Sequence, residues 1–278
     1  MREVAIVGAG ELGGLTAHAL ARRNAADVVR LIDDRGRVAE GKALDISQAA
    51  PVEGFATTVA GSTDLSMAAG ASVVVIATGE GDGSDEDGLL LVRRVTAIAP
   101  RALLLCANAS HRELVDRSVR ELHIPRSRIL GSASEAFVSA ATAIVALELD
   151  VSPLDVALSI LGVPPRQIVI AWENAAVSGF ALGGMMTEPV RRQMAQRIAA
   201  LWPVGPYALA AAATKVVEAL LGNTRRPVTC FVAPDDGAGV RTRTAALPVR
   251  LGPGGIVEVV MPGLSVAERV ALDNAMMI

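Results

Sequence analysis

Gly8, Gly10 and Gly13 stand in the spacing Gly-x-Gly-x-x-Gly, with Glu11 and Leu12 before the last glycine. That arrangement suits one task, which is to hold an anion against main-chain N–H groups. Gly8 permits a tight turn, Gly10 lets a pyrophosphate approach the backbone, and Gly13 lets a helix pack close to a strand. The apolar run 4–7 before them reads as a strand, and 14–21 reads as a helix. The free N–H groups of that helix's first turn, with the helix dipole behind them, then face the anion. A second apolar run, 28–32, ends in Asp33 and Asp34, about 20 residues beyond the glycines. A carboxylate there accepts hydrogen bonds from adenosine ribose hydroxyls. A glycine turn that merely joins strand to helix would not need all of these in register, so a dinucleotide is expected. Asp33 repels a phosphate on the ribose, which favours NAD over NADP; Arg35 and Arg37 weaken that preference.

The elements that must position these residues alternate along the first half. A helix is expected over 38–48 and a short strand over 56–60. The apolar strand 72–77 ends at Ala77, Thr78 and Gly79, at the carboxyl end of a parallel sheet, where a nicotinamide ribose can pass. Residues 80–88 are acidic and glycine-rich but lack the spacing of a calcium loop, so a solvated, mobile loop is expected, followed by a helix over 89–99. Strand 103–108 ends in Asn108, polar where the cleft should lie. Ser110 to Glu113 has capping-box spacing and opens a helix to about 122, with an exposed His111 in its first turn. A long apolar helix is expected over 135–149.

After about residue 150 the pattern changes. Runs 156–161 and 168–172 read as paired strands, 188–201 and 207–221 as helices, and 227–232, 245–249 and 256–260 as sheet strands. Ser265 to Glu268 is a second capping-box match, opening a terminal helix. The expected class is α/β: a Rossmann domain with a parallel sheet over 1–150 and an α+β domain over 151–278.

Composition narrows the function. A chain of 278 residues that is 51% hydrophobic can bury a sizeable core, and a net charge of -3 leaves no footprint for nucleic acid. No apolar run reaches the ~20 residues needed to span a membrane, and no signal peptide is apparent. Cys106 and Cys230 lie in apolar runs as buried thiols, as expected of a cytoplasmic protein. The three histidines and two cysteines are too scattered to hold a metal.

The chain resembles the lactate/malate dehydrogenase family, and within it the malate dehydrogenases that are similar to lactate dehydrogenase. The resemblance is carried by Gly41-Lys42-Ala43-Leu44-Asp45-Ile46-Ser47-Gln48 with Pro51-Val52, by the spacing from Gly8 to Asp33, by Ala77-Thr78-Gly79, by Asn108, and by Gly252 to Glu258. It implies a Rossmann domain, a catalytic domain with antiparallel strands, NAD, and hydride transfer between a 2-hydroxy acid and its 2-oxo acid. It also implies pairing into a homo-oligomer, a dimer, through helices. The helices 133–149 and 207–221 could serve or could equally be core, the second more readily core because it is apolar nearly all round.

The family's chemistry uses an imidazole base held by a buried aspartate, with arginines clamping the substrate carboxylates. Laid on this chain without gaps, the aspartate position falls on Phe137, an arginine position on Ala140 and the imidazole position on Pro164. The loop that should carry arginines holds Asp82, Asp85, Glu86 and Asp87. Gly205-Pro206 stands where the family has Gly followed by a hydroxyl residue. Three readings stay open: a degenerate NAD(H)-binding member without activity on malate or lactate; an oxidoreductase on another small substrate, with Asn108, Ser134, Glu135 and Tyr207 as its nearest candidates; and a structural partner that has lost the cofactor. The retained glycines and Asp33 argue against the third, and the missing acid–base residue favours the first.

Overall fold

The fold follows from a set of strands apolar on both faces. In the computed structural model, which describes residues 1–35, 37–79, 85–182, 186–223, 226–235 and 242–277, β1 (Glu3–Val7) is buried throughout. Helix α1 (Glu11–Arg22) follows it, then β2 (Val28–Ile32), α2 (Val38–Glu53), β3 (Thr58–Ser62), β4 (Val73–Ile76), α3 (Asp85–Ile98), β5 (Leu103–Cys106), α4 (Arg112–Glu121) and β6 (Ile129–Gly131). Six strands pair in the order β3-β2-β1-β4-β5-β6, all parallel. Reversal of strand order between β1 and β4 leaves a crevice at the carboxyl ends of the strands, where a ligand of such a sheet sits.

Helix α5 (Ala133–Leu149) leads to β7 (Val156–Ala157), β8 (Ile160–Val163), β9 (Gln167–Ile170), β10 (Ala176–Val177) and β11 (Phe180–Ala181). After α6 (Glu188–Ala199) and α7 (Pro206–Glu218) come β12 (Val228–Val232), β13 (Ala245–Gly252), β14 (Gly255–Val259) and α8 (Val266–Ala275). The sheet continues antiparallel from β6 through β12, β13, β8 and β9, with β14 on β13. Strands β11, β10 and β7 form a separate small sheet.

Several boundaries differ from expectation for local reasons. The run 156–161 is not one strand: Val156 and Ala157 pair with β10, and only β8 pairs with β9. Helix α3 starts at Asp85 and has Glu86 and Asp87 in its first turn, where carboxylates suit the positive end of the helix dipole. The loop expected over 80–88 is thus shorter, and its mobility at 80–84 lies outside the described residues. Helix α2 runs five residues past the expected 48, through Pro51, and stops at Gly54 in the left-handed conformation. The capping box at Ser265 and Glu268 forms as expected. Helix α7 is core: Leu209, Ala210, Ala212, Ala213, Val216 and Val217 are buried, packed against α1 and α5. Among the described residues no helix is long and apolar enough to cross a membrane.

Candidate cofactor groove

The glycine turn is built as its spacing implies. Gly8 has φ +101°, and a Cβ on it would stand 2.9 Å from the Ala77 carbonyl carbon and the Thr78 nitrogen. The chain ends of β1 and β4 therefore touch at a point that only glycine can occupy. A Cβ on Gly13 would fall 1.8 Å from the Gly8 carbonyl oxygen, so α1 starts directly against the turn. At Gly10, the N-cap of α1, no atom of the described residues beyond its chain neighbours lies within 4 Å of where a Cβ would be. This backbone faces open space, the cradle that an anion needs at a helix N-terminus. Behind it, the Lys42 ammonium from α2 donates to the Gly10 carbonyl at 2.7 Å. Lys42 stood out in the sequence only as part of a matching run; its contact depends on how α2 crosses α1.

Asp33 ends β2 and is 6% exposed. Its Oδ2 accepts the Ala9 N–H at 2.7 Å, and its Oδ1 accepts the Arg35 N–H at 2.9 Å and the Arg35 Nε–H at 3.3 Å. Burial alone would raise its pKa, but the Arg35 and Ala9 N–H groups and the Arg35 guanidinium outweigh it, and the carboxyl lies below its ordinary value. Asp33 is therefore an anion that fixes the glycine turn as well as a candidate ribose acceptor.

Two cavities lie along the strand ends. One, of about 910 Å³, is lined by Gly8, Asp33, Asp34, Thr78 and Gly79, with Thr63, Asp64, Leu65 and Ser66 after β3 and the inner face of α3 from Asp87 to Ile98. The other, of about 430 Å³, is lined by Gly10, Glu11, Leu12, Ala77, Gly79 and Asn108, together with Val204, Pro206 and Leu209. They share Arg35 and Gly79. Ten of the eleven residues singled out in the sequence thus border one groove, and Gly13 packs behind it. The walls from β3, α3 and α7 were not foreseen, since no local signal says which distant elements close a cleft.

Asn108 ties the two strand ends together. Its amide donates to the Thr78 carbonyl at 3.1 Å, and its Oδ1 accepts from the Ser110 N–H. It caps a short 3-10 turn over Ala109–His111 in a capping box with His111, whose Nδ1 accepts the Asn108 N–H at 3.3 Å. The expected box starting at Ser110 is therefore displaced by two residues. His111 is buried, not exposed, and lines the larger cavity. Burial pushes its pKa down from 6.5 to about 4, with a backbone hydrogen bond to Thr78 opposing weakly.

This burial has a stability consequence. Between pH 6.5 and about 4 the unfolded chain protonates at His111 while the folded protein does not. The contribution is full above pH 6.5 and is lost as pH falls toward 4, by up to about 3 kcal/mol. Urea midpoints measured from pH 7 to 4 should fall more steeply for the natural protein than for His111→Gln. Equal pH slopes would show that His111 is not held neutral.

The other sequence candidates are not gathered at the groove. Ser134 Oγ donates to the Thr229 carbonyl at 3.0 Å inside the core. Glu135 accepts the Thr229 N–H at 2.7 Å and pairs with Lys215, joining α5 to β12 and α7. Tyr207 is 74% exposed. Cys106 and Cys230 are both buried, and burial lifts the Cys106 thiol to about 12, so neither is a nucleophile. Among the described residues, no group of three or more His, Cys, Asp and Glu side chains gathers as a metal site.

On the substrate side, Phe137 is 1% exposed in the core. Its ring meets Trp202 edge-on with centroids 5.6 Å apart, and Trp202 meets Phe231 at 6.0 Å in the same manner. Val204, two residues past Trp202, lines the smaller cavity. Pro164 is half-buried in the turn between β8 and β9, and Ala140 lies half-buried on α5.

Residues 2–103 match the family described as lactate/malate dehydrogenase, NAD binding domain. Over 99% of its length the chain is 31% identical to a malate dehydrogenase of Thermomicrobium roseum, covering 94% of that protein. The chain belongs to the lactate/malate dehydrogenase family. A malate dehydrogenase of Desulforudis audaxviator is 30% identical over 99% of the chain and 95% of its own length. Among solved structures of the same fold, a lactate dehydrogenase from Cryptosporidium parvum, solved with lactic acid and NAD, aligns with a TM-score of 0.90. It is 23% identical and covers 99% of this chain and 94% of its own. A malate dehydrogenase from Salinibacter ruber aligns with a TM-score of 0.87 at 24% identity, over 98% of this chain and 93% of that one. The matched residues 2–103 carry β1 to β4 of the parallel sheet, and NAD is the cofactor that the family implies.

Proposed function

We propose that the protein is an NAD(H)-binding member of the family that does not oxidise malate or lactate. The observation that carries this reading is Phe137: at the aspartate position implied by the family resemblance, a fully buried ring stacks edge-on against Trp202. An imidazole could not be oriented from there. The smaller cavity supports the same reading, since Leu12, Ala77, Val204, Pro206 and Leu209 dominate its walls and, among the described residues, Asn108 is its one neutral polar side chain. Malate and lactate bring a carboxylate; among the described residues the one cation on these walls is Arg35, which sits at Asp33 on the adenosine side.

In this reading the pyrophosphate lies on the N–H groups of the Gly8–Gly13 turn, with Glu11 and Leu12 at its edge. The adenosine ribose lies against Asp33, with Asp34 beside it; the nicotinamide end passes Ala77, Thr78, Gly79 and Asn108. NAD, when bound, supplies a hydride acceptor; the chain's own residues supply binding and orientation. We assign residues 1–150 to the cofactor unit and 151–278 to the altered substrate unit. A different substrate handled by Ser134, Glu135 or Tyr207 lacks support, because those side chains are tied into the core or face solvent.

Calorimetric titration with NADH tests the cofactor half of the proposal. Binding is expected, and Asp33→Ala should weaken it about tenfold or more, since a charged acceptor is lost. No heat of binding at millimolar NADH would overturn it.

A further inference from the structure

We infer that Arg35 is the phosphate clamp of the groove: its guanidinium takes an oxygen of the bridging diphosphate and, in leaving Asp33, frees that carboxylate for the adenosine ribose. The inference rests on the cofactor reading above and adds a residue to it.

Position is the first argument. Among the described residues, Arg35 is the one charged residue that lines both cavities. The larger holds Asp33 and Asp34, and the smaller holds Gly10 and Glu11, so a dinucleotide spanning them carries its two phosphates past Arg35. Arg94 lines only the larger cavity. Lys42 is engaged behind the turn by the Gly10 carbonyl.

Competition for Asp33 is the second. A carboxylate offers about four lone-pair sites. Ala9 and Arg35 already supply three donors to the two oxygens, and Arg35 supplies two of them to Oδ1. A ribose diol needs acceptors on that same carboxylate. The Ala9 N–H belongs to the glycine turn and cannot leave, and the Arg35 N–H is backbone. The Arg35 guanidinium is the donor on this carboxylate with room to move: it is 59% exposed, and its Nε contact is the longest of these three at 3.3 Å. Exposed side chains change rotamer freely on the nanosecond scale.

Charge balance is the third. Asp33, Asp34 and Glu11 border the groove on the side where a diphosphate must sit. The α1 dipole alone offers about half an elementary charge. A guanidinium that moves from the Asp33 carboxylate to a phosphate exchanges one charge-assisted partner for another, and its planar fork suits the phosphate oxygens.

The test is titration of the full chain with NADH, NADPH and adenosine, the last by displacement of NADH. Arg35→Met should weaken NADH and NADPH by the same factor, about tenfold. Adenosine, which has no phosphate, should bind the variant at least as well as the natural protein. Arg35→Lys should recover part of the NADH affinity. Loss of NADPH affinity alone would place the guanidinium on a ribose phosphate and overturn the inference. A parallel loss of adenosine would reduce Arg35 to a support for Asp33 and overturn it too. Equal NADH affinity in natural protein and Arg35→Met overturns this inference alone, whereas failure of the natural protein to bind NADH overturns the cofactor reading with it.

Discussion

NADH formation with malate or lactate is expected to stay at the no-protein background between pH 6 and 10. Removal of the hydroxyl proton must accompany hydride departure, and a positioned base contributes about 10²–10⁴-fold to such a step. Pro164 cannot accept that proton. Pro164→His is expected to restore nothing, because residues that act as a unit fail together. An imidazole in the β8–β9 turn would lack an orienting carboxylate, since Phe137 holds the position the resemblance gives to the aspartate, and Asp87 and Glu11 at the cavity walls oppose a substrate carboxylate. The assay follows NADH with both hydroxy acids and, in reverse, with their 2-oxo counterparts. Turnover near the ordinary range of ~1–1000 per second on any of them would overturn the inactive reading.

The cofactor side was legible because its rules are local. Strand, glycines and helix follow one another within twenty residues, and each glycine answers to a single steric demand that the structure reproduces at Gly8 and Gly13. What the sequence hid depends on partners far along the chain. Asn108 and Ser110 both fit an N-cap by local rule; the choice falls to Asn108 because its amide reaches Thr78, thirty residues away. The same contact buries His111, whose neighbours in sequence look exposed. Glu135 resembled a free acid until Thr229 and Lys215 were brought to it by β12 and α7. Short apolar runs such as 156–161 do not choose between partner strands, because alternation fixes which face is buried and not which neighbour is met. Arg35 was visible only as a charge near Asp33. That it borders both cavities is a property of the folded groove.

Phe137→Asp is expected to cost most of the protein's stability. The substitution restores the residue type that the family resemblance places there, so it separates a position that opens on a catalytic cleft from one that belongs to the core. Phe137 is fully buried, in one cluster with Ala141, Met194 and Ile198 and edge-on to Trp202. Truncating such a ring costs about 3–5 kcal/mol through lost transfer energy and the cavity left behind. An aspartate adds a carboxylate to a cluster that, among the described residues, holds no cation, and it must either stay ionised at high cost or be protonated. Together these exceed about 5 kcal/mol, which is comparable to the whole stability of many domains at ~5–15 kcal/mol. Phe137→Leu removes less volume and keeps the site apolar, so a loss of about 1–2 kcal/mol is expected. Thermal unfolding checks both: at about 2–4 °C per kcal/mol for a chain of this size, Phe137→Leu should melt several degrees lower and Phe137→Asp should not fold cooperatively. A Phe137→Asp protein that melts within 2–4 °C of the natural one, the equivalent of about 1 kcal/mol, would mean that the side chain at 137 reaches water or a polar partner. The position would then be fit to hold a catalytic carboxylate, and the buried aromatic contact with Trp202 would no longer account for an inactive substrate side.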